Sequence, residues 1–266
     1  MAAKIGFICP TYDAIVLDGY TRKALSSFFA NTPDGVAIVV DDGSTDWNDD
    51  YEQSLRDLAA KYHDASIHIH HFAGNGGLTR SWNKGLAIAD ELGLDYAIAG
   101  NNDIVFSTHY YPPLLQVLER GYALVGPLSN APGITAKGRQ EIDRHFPDYE
   151  LSDDDLYVNT VSVKLQQKFG TTALESPING FFQMAKMESW RAGKYDETYY
   201  YRPVNTHTSR GQRNPTPLMT LNEDELQERW RAKGMKAAIA LGSFIFHYRA
   251  VSRGDRYKRG KWYRQT

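Results

Sequence analysis

The sequence predicts an α/β fold built on a mostly parallel, twisted β-sheet that is flanked by helices. Short apolar or β-branched runs have the length and composition of buried strands. They lie at residues 4–9, 36–40, 66–72, 95–100 and 122–126. Helix-length stretches separate these runs. Strands that alternate with helices form βαβ units, so we expect a parallel sheet covered on both faces.

The helix after the third strand is the clearest in the first half. Between residues 77 and 92, Leu78, Trp82, Leu86 and Ala89 recur at spacings of four, four and three. These spacings place the four side chains on one face of a helix, which we expect to be buried.

The second half is less regular. Residues 128–176 are polar and hold one helix candidate at 158–169, so we interpret them as an insert. Residues 199–218 are basic, aromatic and rich in proline, which predicts a long irregular loop that is either a functional lid or disordered. Residues 222–234 predict a helix with Asn222 as N-cap, Glu225 as its capping-box partner and Gly234 at the C-terminal end. Apolar runs at 237–241 and 243–248 close the pattern.

Composition sets limits on function. The single cysteine, Cys9, excludes an internal disulfide, and the net charge of −2 argues against a general nucleic-acid binder. The longest apolar stretch, 235–246, is too short to span a bilayer, and the first residues lack a secretory pattern. We therefore expect a cytoplasmic protein. Residues 249–266 carry seven Lys or Arg and three aromatics, which predicts either a frayed terminus or peripheral contact with a membrane.

Polar residues follow four successive predicted strands. They lie at 10–13, 41–46, 74–77 and 101–103. In parallel sheets the ligand crevice lies beyond the carboxyl ends of the strands. The doubled carboxylates Asp41 and Asp42 suit a base N–H or a ribose hydroxyl, whereas Ser44 through Asp46 read as a turn and a cap of the following helix.

Three further positions allow a chemical or a structural reading. Asp103, with the amide oxygen of Asn101, suits Mg²⁺ or Mn²⁺, although Asn and Asp are also ordinary turn residues. One acid of residues 223–225 suits a general base, although acids in a first helical turn also complement the helix dipole. His247 ends an apolar strand, either as a ligand or as a structural group.

The order of these motifs resembles the nucleotide-sugar-dependent glycosyltransferases of the GT-A fold, and specifically the inverting family 2 group. The resemblance covers residues 4–127 and 177–254 and leaves the insert outside. The matching pieces are CPTYD, VVDDGSTD, GNGGLTRSWNKGLAIA, GNNDIVFS, INGFFQMAK with GKYDETYY, NEDELQERWRAKG and FHYRAVSRG.

This resemblance implies a single GT-A domain with a Rossmann-like nucleotide-sugar half at 1–127, an acceptor and catalytic half at 177–248, and a basic tail at 249–266. Residues that would bind the nucleotide are Thr11, Tyr12, Asp13, Asp41, Asp42, Arg80, Asn83 and Asn102. Asn179 and Gly180 would line the acceptor side.

The resemblance also implies a divalent metal, Mn²⁺ or Mg²⁺, held by Asp103, His247 and Asn101 where the family has Asp-x-Asp. The family has an acid pair, usually Glu-Asp, that is followed by five residues and then an arginine. If Arg229 is that arginine, the pair falls on Asn222 and Glu223. Glu223 is therefore the first choice for the base and Asp224 the second. The partners implied are a nucleoside-diphosphate sugar and a glycan, lipid-linked or other hydroxyl acceptor.

Two other functions stay open. A sugar-phosphate nucleotidylyltransferase shares the nucleotide-binding sheet, but it usually has a Gly-rich basic loop after the first strand, where this chain has CPTYDAIVLDG. A non-catalytic nucleotide- or carbohydrate-binding relative is favoured only by Asn101, which stands where the family has its first metal-binding aspartate.

Overall fold

A computed structural model of the protein describes residues 3–133, 138–197 and 222–248. The predicted lid at 199–218 and the basic tail at 249–266 lie outside these ranges.

Nine strands lie within the described residues. They are β1 Ile5–Thr11, β2 Val36–Asp41, β3 Ser66–His71, β4 Tyr96–Gly100, β5 Ile104–Phe106, β6 Leu124–Leu128, β7 Ala173–Glu175, β8 Phe182–Lys186 and β9 Ala237–His247. The five strand runs predicted in the first half all form, with ends shifted by at most two residues. The two apolar runs at the end of the second half form one strand, β9.

Seven α-helices connect or cover these strands in the described ranges. They are α1 Asp18–Asn31, α2 Asp49–Ala59, α3 Leu78–Glu91, α4 Tyr111–Glu119, α5 Asp155–Phe169, α6 Met187–Ala192 and α7 Asn222–Ala232. Trp82, Leu86 and Ala89 on α3 are fully or almost fully buried, which confirms the predicted apolar face. No helix in the described ranges is long and apolar enough to cross a bilayer.

The α/β fold class is confirmed, with a parallel block in the first half and antiparallel pairs in the second. The strand order is β3-β2-β1-β4-β8-β6-β9-β5, and β7 also pairs with β9. The first four strands of this order are parallel to one another. β8 runs antiparallel to β4 and β6, β9 runs parallel to β6, and β5 and β7 run antiparallel to β9. Two apolar clusters cover the sheet.

This topology explains where the polar strand ends meet. The carboxyl ends of β1, β2 and β4 lie at one edge, as parallel strands require. The end of β9 reaches the same edge because its last residues pair with β5, which directly follows the polar run at 101–103. Residues separated by more than a hundred positions in sequence therefore lie at the same end of the sheet.

Candidate active site

The carboxylate of Asp41 organises the loops after β1, β2 and β3. It is fully buried and accepts from the Thr11 hydroxyl at 3.0 Å, from the backbone N–H groups of Gly43 at 3.0 Å and Ser44 at 2.8 Å, and from the Ser44 hydroxyl. His71 Nδ1 lies 2.8 Å from Oδ2, and because a carboxylate only accepts, Nδ1 carries the proton. These donors fill the lone pairs of Asp41, so the carboxylate holds the ends of β1 and β3 and the loop after β2 together.

Asp42 holds the loop before α3. It accepts from the backbone N–H groups of Gly76 at 3.0 Å and Gly77 at 2.6 Å, and from the Arg80 guanidinium at 2.6 Å. Arg80 also bonds the carbonyl of Gly74 and lies 3.8 Å above the ring of Phe72. The two predicted nucleotide contacts, Asp42 and Arg80, are thus paired with each other.

The cap predicted for the helix after β2 was wrong. Asn48, rather than Ser44 or Asp46, caps α2, because its side chain accepts from the N–H of Tyr51 at 2.8 Å. Asp46 instead accepts from the backbone N–H groups of Ala14 at 3.1 Å and Ile15 at 2.9 Å. It fixes the loop after β1, where Tyr12 is 41% exposed and Asp13 has a left-handed φ of 54°.

Asn83 and Asn102, both predicted near the nucleotide, bond other parts of the fold. The amide of Asn83 donates to the carbonyl of Tyr195 at 2.9 Å and accepts from its N–H at 3.1 Å. Asn102 donates to the hydroxyl of Thr21 on α1 at 3.1 Å. In this structure Asn83 holds the chain before residue 198, and Asn102 holds the turn after β4.

The three residues predicted to hold a metal come together. His247 Nε2 lies 3.2 Å from Oδ1 of Asp103 and 3.3 Å from the Asn101 amide. The side chains of Asp103 and His247 are 7% and 6% exposed. Burial, and then the charge of Asp103, raise the pKa of the Cys9 thiol well above its ordinary value, so the carboxylate lies close enough to act on β1.

The geometry around His247 is compatible with a cation. Nδ1 lies 2.8 Å from the carbonyl of Ala131 and donates to it, so Nε2 is the ring nitrogen that faces Asp103. Nε2 and Oδ1 lie 3.2 Å apart, which is the separation of an ion pair or of two ligands on one cation. Neighbouring ligands of an octahedral ion with bonds of about 2.1 Å are separated by about 3 Å.

The described residues hold no cluster of three His, Cys, Asp or Glu side chains that could hold a metal. Asp103 and His247 could supply two ligands, and the Asn101 amide oxygen could supply a third once the amide is turned. Metals of this class usually take their remaining ligands from substrate phosphates and water.

Residues 179–181 connect this group to α7. The ring of Phe181 stacks on His247, with centroids 5.1 Å apart and planes 17° apart, and its carbonyl accepts from the N–H of Asn101 at 3.0 Å. A Cβ built on Gly180 would lie 3.0 Å from Cδ of Glu223. Gly180 therefore leaves room for this carboxylate, and the residue after Gly180 is the phenylalanine that stacks on His247.

The acids of α7 take different positions. Glu225 is paired with Arg229 at 2.7 Å and 3.0 Å, so it does not form the predicted capping box with Asn222. Asn222 instead donates to the hydroxyl of Thr79, which ties α7 to α3. Burial raises the pKa of Tyr195 well above its ordinary value, and the charge of Glu223 adds to this effect. Glu223 thus lies between Gly180 and Tyr195.

Two residues of the predicted insert reach the site, and sequence reasoning missed both. Gln140 is fully buried and accepts from the backbone and side-chain N–H groups of Asn179, each at 2.9 Å. Asn130 bonds the backbone of His247. Asn130 follows the carboxyl end of β6, so the rule applied to the other strand ends would have found it, but no local signal points to Gln140.

The comparisons with known proteins concern the family and the fold. The sequence matches the profile described as Glycosyl transferase family 2 over residues 7–172, which includes most of the segment that we expected to lie outside the resemblance. A search of curated proteins gave no match.

Several solved structures share the fold. TarS residues 1–349 of S. aureus align with a TM-score of 0.54 and 13% identity over 92% of this chain and 60% of theirs. The mannosyltransferase PcManGT of Pyrobaculum calidifontis, in complex with GDP-Man and Mn²⁺, aligns with a TM-score of 0.57 and 14% identity. The alignment covers 98% of this chain and 59% of PcManGT. GalNAc-T7 with UDP, GalNAc and Mn²⁺ aligns with a TM-score of 0.59 and 13% identity. The alignment covers 92% of this chain and 44% of GalNAc-T7. These structures have the GT-A fold, and this chain spans about half of their length.

Proposed function

Because the chain belongs to Glycosyl transferase family 2, we propose that it moves a sugar from a nucleoside-diphosphate sugar to an acceptor hydroxyl. We further propose a single displacement that inverts the anomeric centre. One observation supports this most directly: Glu223 and His247 contact neighbouring residues, Gly180 and Phe181, and Asp103 lies beside His247. A carboxylate base and a cation site are then close enough to act on one sugar.

The donor would lie over the loops after β1, β2 and β4. Thr11, Tyr12 and Asp13 with Asp41 and Asp42 would form the nucleotide pocket. The exposed ring of Tyr12 offers a face for the base, and the two buried carboxylates hold the walls in place. Asn83, Arg80 and Asn102 would act by holding the surrounding loops, since their side chains are bonded to other parts of the protein.

Asp103 and His247, with Asn101, would hold Mn²⁺ or Mg²⁺, and the imidazole nitrogen favours Mn²⁺ because Mg²⁺ prefers oxygen ligands. When bound, the cation supplies positive charge beside the departing diphosphate. The structures of PcManGT and GalNAc-T7, which share the fold, contain Mn²⁺.

Glu223 would remove the proton from the acceptor hydroxyl as that oxygen attacks the anomeric carbon. The carboxylate packs against Gly180, where a Cβ would lie 3.0 Å from Cδ, so a side chain at this position would displace the proposed base. Asn179, held by Gln140, would form the floor of the acceptor site. General base catalysis of this kind contributes about 10²–10⁴-fold to a rate.

The test compares the wild-type protein with three variants that each remove a negative charge from α7, namely Glu223→Gln, Asp224→Asn and Glu228→Gln. Each protein is incubated with Mn²⁺, a panel of nucleotide sugars and a panel of hydroxyl acceptors, and sugar transfer and nucleoside diphosphate release are measured. We expect Glu223→Gln to lose at least about 100-fold of transfer. Glu228→Gln, an exposed acid on the same helix, is the matched control and should retain full activity.

Other outcomes would reassign the site. Loss of activity in Asp224→Asn alone would move the base by one residue. If the wild-type protein turns over no donor but is stabilised by a nucleotide, the chain is a non-catalytic binding relative.

A further inference from the structure

The backbone of His247 lacks a regular strand partner on its β6 side. β6 and β9 pair in register from Leu124 with Ala237 to Pro127 with Ala240, but the register then shifts, so that Leu128 pairs with Phe244. β6 ends at Leu128, and the ladder has no residue opposite His247. On its other side His247 pairs with Ile104 of β5.

The side chain of Asn130 takes the place of the missing strand. Its Oδ1 accepts from the N–H of His247 at 2.8 Å, and its Nδ2 donates to the carbonyl of His247 at 3.0 Å. One carboxamide thus reproduces the two hydrogen bonds that a neighbouring strand would make. The next residue, Ala131, accepts from Nδ1 of the same histidine at 2.8 Å. Residues 130 and 131 together fix the backbone, ring orientation and tautomer of His247.

The segment that carries Asn130 is anchored at its base. The N–H of Ser129 donates to the carbonyl of Gln140 at 3.0 Å, and the N–H of Ile142 donates to the carbonyl of Ser129 at 2.9 Å. The Gln140 side chain donates to the carbonyl of Pro127 at 2.8 Å. These bonds tie the two ends of the 129–141 segment to each other and to the end of β6. Asn130 is therefore held beside the end of β9.

We propose that Asn130 is a positioning residue that prepares His247 to bind the divalent cation. This inference rests on the proposed function, because it assigns a partner to one ligand of the proposed metal group. Asn130 acts through His247 and through no atom of the substrate. Residues that orient a ligating histidine typically change metal affinity by about 10–100-fold when they are removed.

The experiment measures Mn²⁺ binding by the whole chain, with free Mn²⁺ followed by electron paramagnetic resonance well below the melting temperature. We expect Asn130→Ala to weaken Mn²⁺ binding by about 10–100-fold. Asn159→Ala is the matched control. Asn159 lies on α5, and its side chain also accepts from a backbone N–H, that of Thr108 at 2.7 Å. It should bind Mn²⁺ as the wild-type protein does.

A double-mutant cycle distinguishes positioning from general destabilisation. If Asn130 acts through the histidine, Asn130→Ala adds nothing to the weaker binding of His247→Ala, so the two effects are not additive. Should Asn130→Ala fail to fold, Asn130→Ser, which remains polar and uncharged but cannot make both hydrogen bonds, is expected to weaken binding within the same range of about 10–100-fold.

Two results would overturn the proposal, and they differ. Unchanged Mn²⁺ affinity in the Asn130 variants, with weaker binding in His247→Ala, removes the positioning role and leaves the metal site intact. Absence of Mn²⁺ binding by the wild-type protein, even with UDP, GDP, dTDP or CDP present, removes the metal site as well.

Discussion

A single side chain sets the charge of the cation group. Asn101 lies 3.3 Å from His247 but carries no charge, so Asp103 is the one carboxylate that the three-residue group supplies. Under the proposed function, a divalent cation there would be compensated by one negative charge from these three residues, and the donor diphosphate would supply the rest. We therefore expect cation binding to depend strongly on bound nucleotide.

Asn101→Asp tests this dependence. A second carboxylate at the same position is expected to tighten Mn²⁺ binding in the absence of nucleotide by about tenfold, because hard cations gain affinity with the number of charged ligands. Isothermal titration with and without nucleoside diphosphate measures the change. Affinity that stays the same would mean that residue 101 does not face the cation.

Cys9 provides a second residue-level prediction. Burial, and then the charge of Asp103, raise the pKa of its thiol, and thiolate is the reactive form. The folded protein at pH 8 should therefore react with a thiol reagent at least about 100-fold more slowly than the protein in guanidinium chloride at the same pH. Equal rates would show that β1 opens readily.

At the scale of elements, the loops after β2 and β3 fit together through a glycine. Gly43 has a left-handed φ of 80°, and a Cβ built on it would lie 2.3 Å from the backbone of Gly74. Only a residue without a side chain allows the loop that carries Asp41 and Asp42 to approach the loop before α3.

Gly43→Ala should cost more free energy of unfolding than Gly93→Ala, by at least about 1 kcal/mol. Gly93 is the matched control because its φ is also left-handed, at 65°, but nothing lies within 4 Å of its Cβ position. Urea unfolding of both variants measures the difference. Equal costs would mean that the two loops move apart without penalty.

The sequence predicted elements well where one signal decided them. The buried strands and the face of α3 follow from local periodicity, and the polar strand ends follow from the parallel order of β1, β2 and β4. The partners of Asp41, Asn83 and Gln140 were not predictable in this way, because each bonds a loop whose position depends on the whole sheet. The roles of the individual site residues stay predictions.

The antiparallel pairs of the second half were missed for a related reason. β8, β7 and β5 are short, and their apolar residues do not reveal direction. The long β9 pairs with β6, β5 and β7, and β8 pairs with β4 and β6. Direction is therefore a property of the assembled sheet rather than of any one segment.

At the scale of the whole molecule, nucleotide binding should stabilise the fold. A ligand that binds only the folded state at a hundredfold excess over its Kd adds about 2.7 kcal/mol, or about 5–10 °C in Tm. We expect one of UDP, GDP, dTDP or CDP to give this shift with Mn²⁺, and EDTA or Asp103→Ala to reduce it. A shift that is insensitive to both would separate nucleotide binding from the cation.

β9 also determines when in its synthesis the molecule can work. Asn101 and His247 are 146 residues apart, and β9 begins only at residue 237. A chain interrupted before β9 therefore holds Asp41, Asp42 and Asp103 but not His247. Under the proposed function, such a chain has no complete cation site.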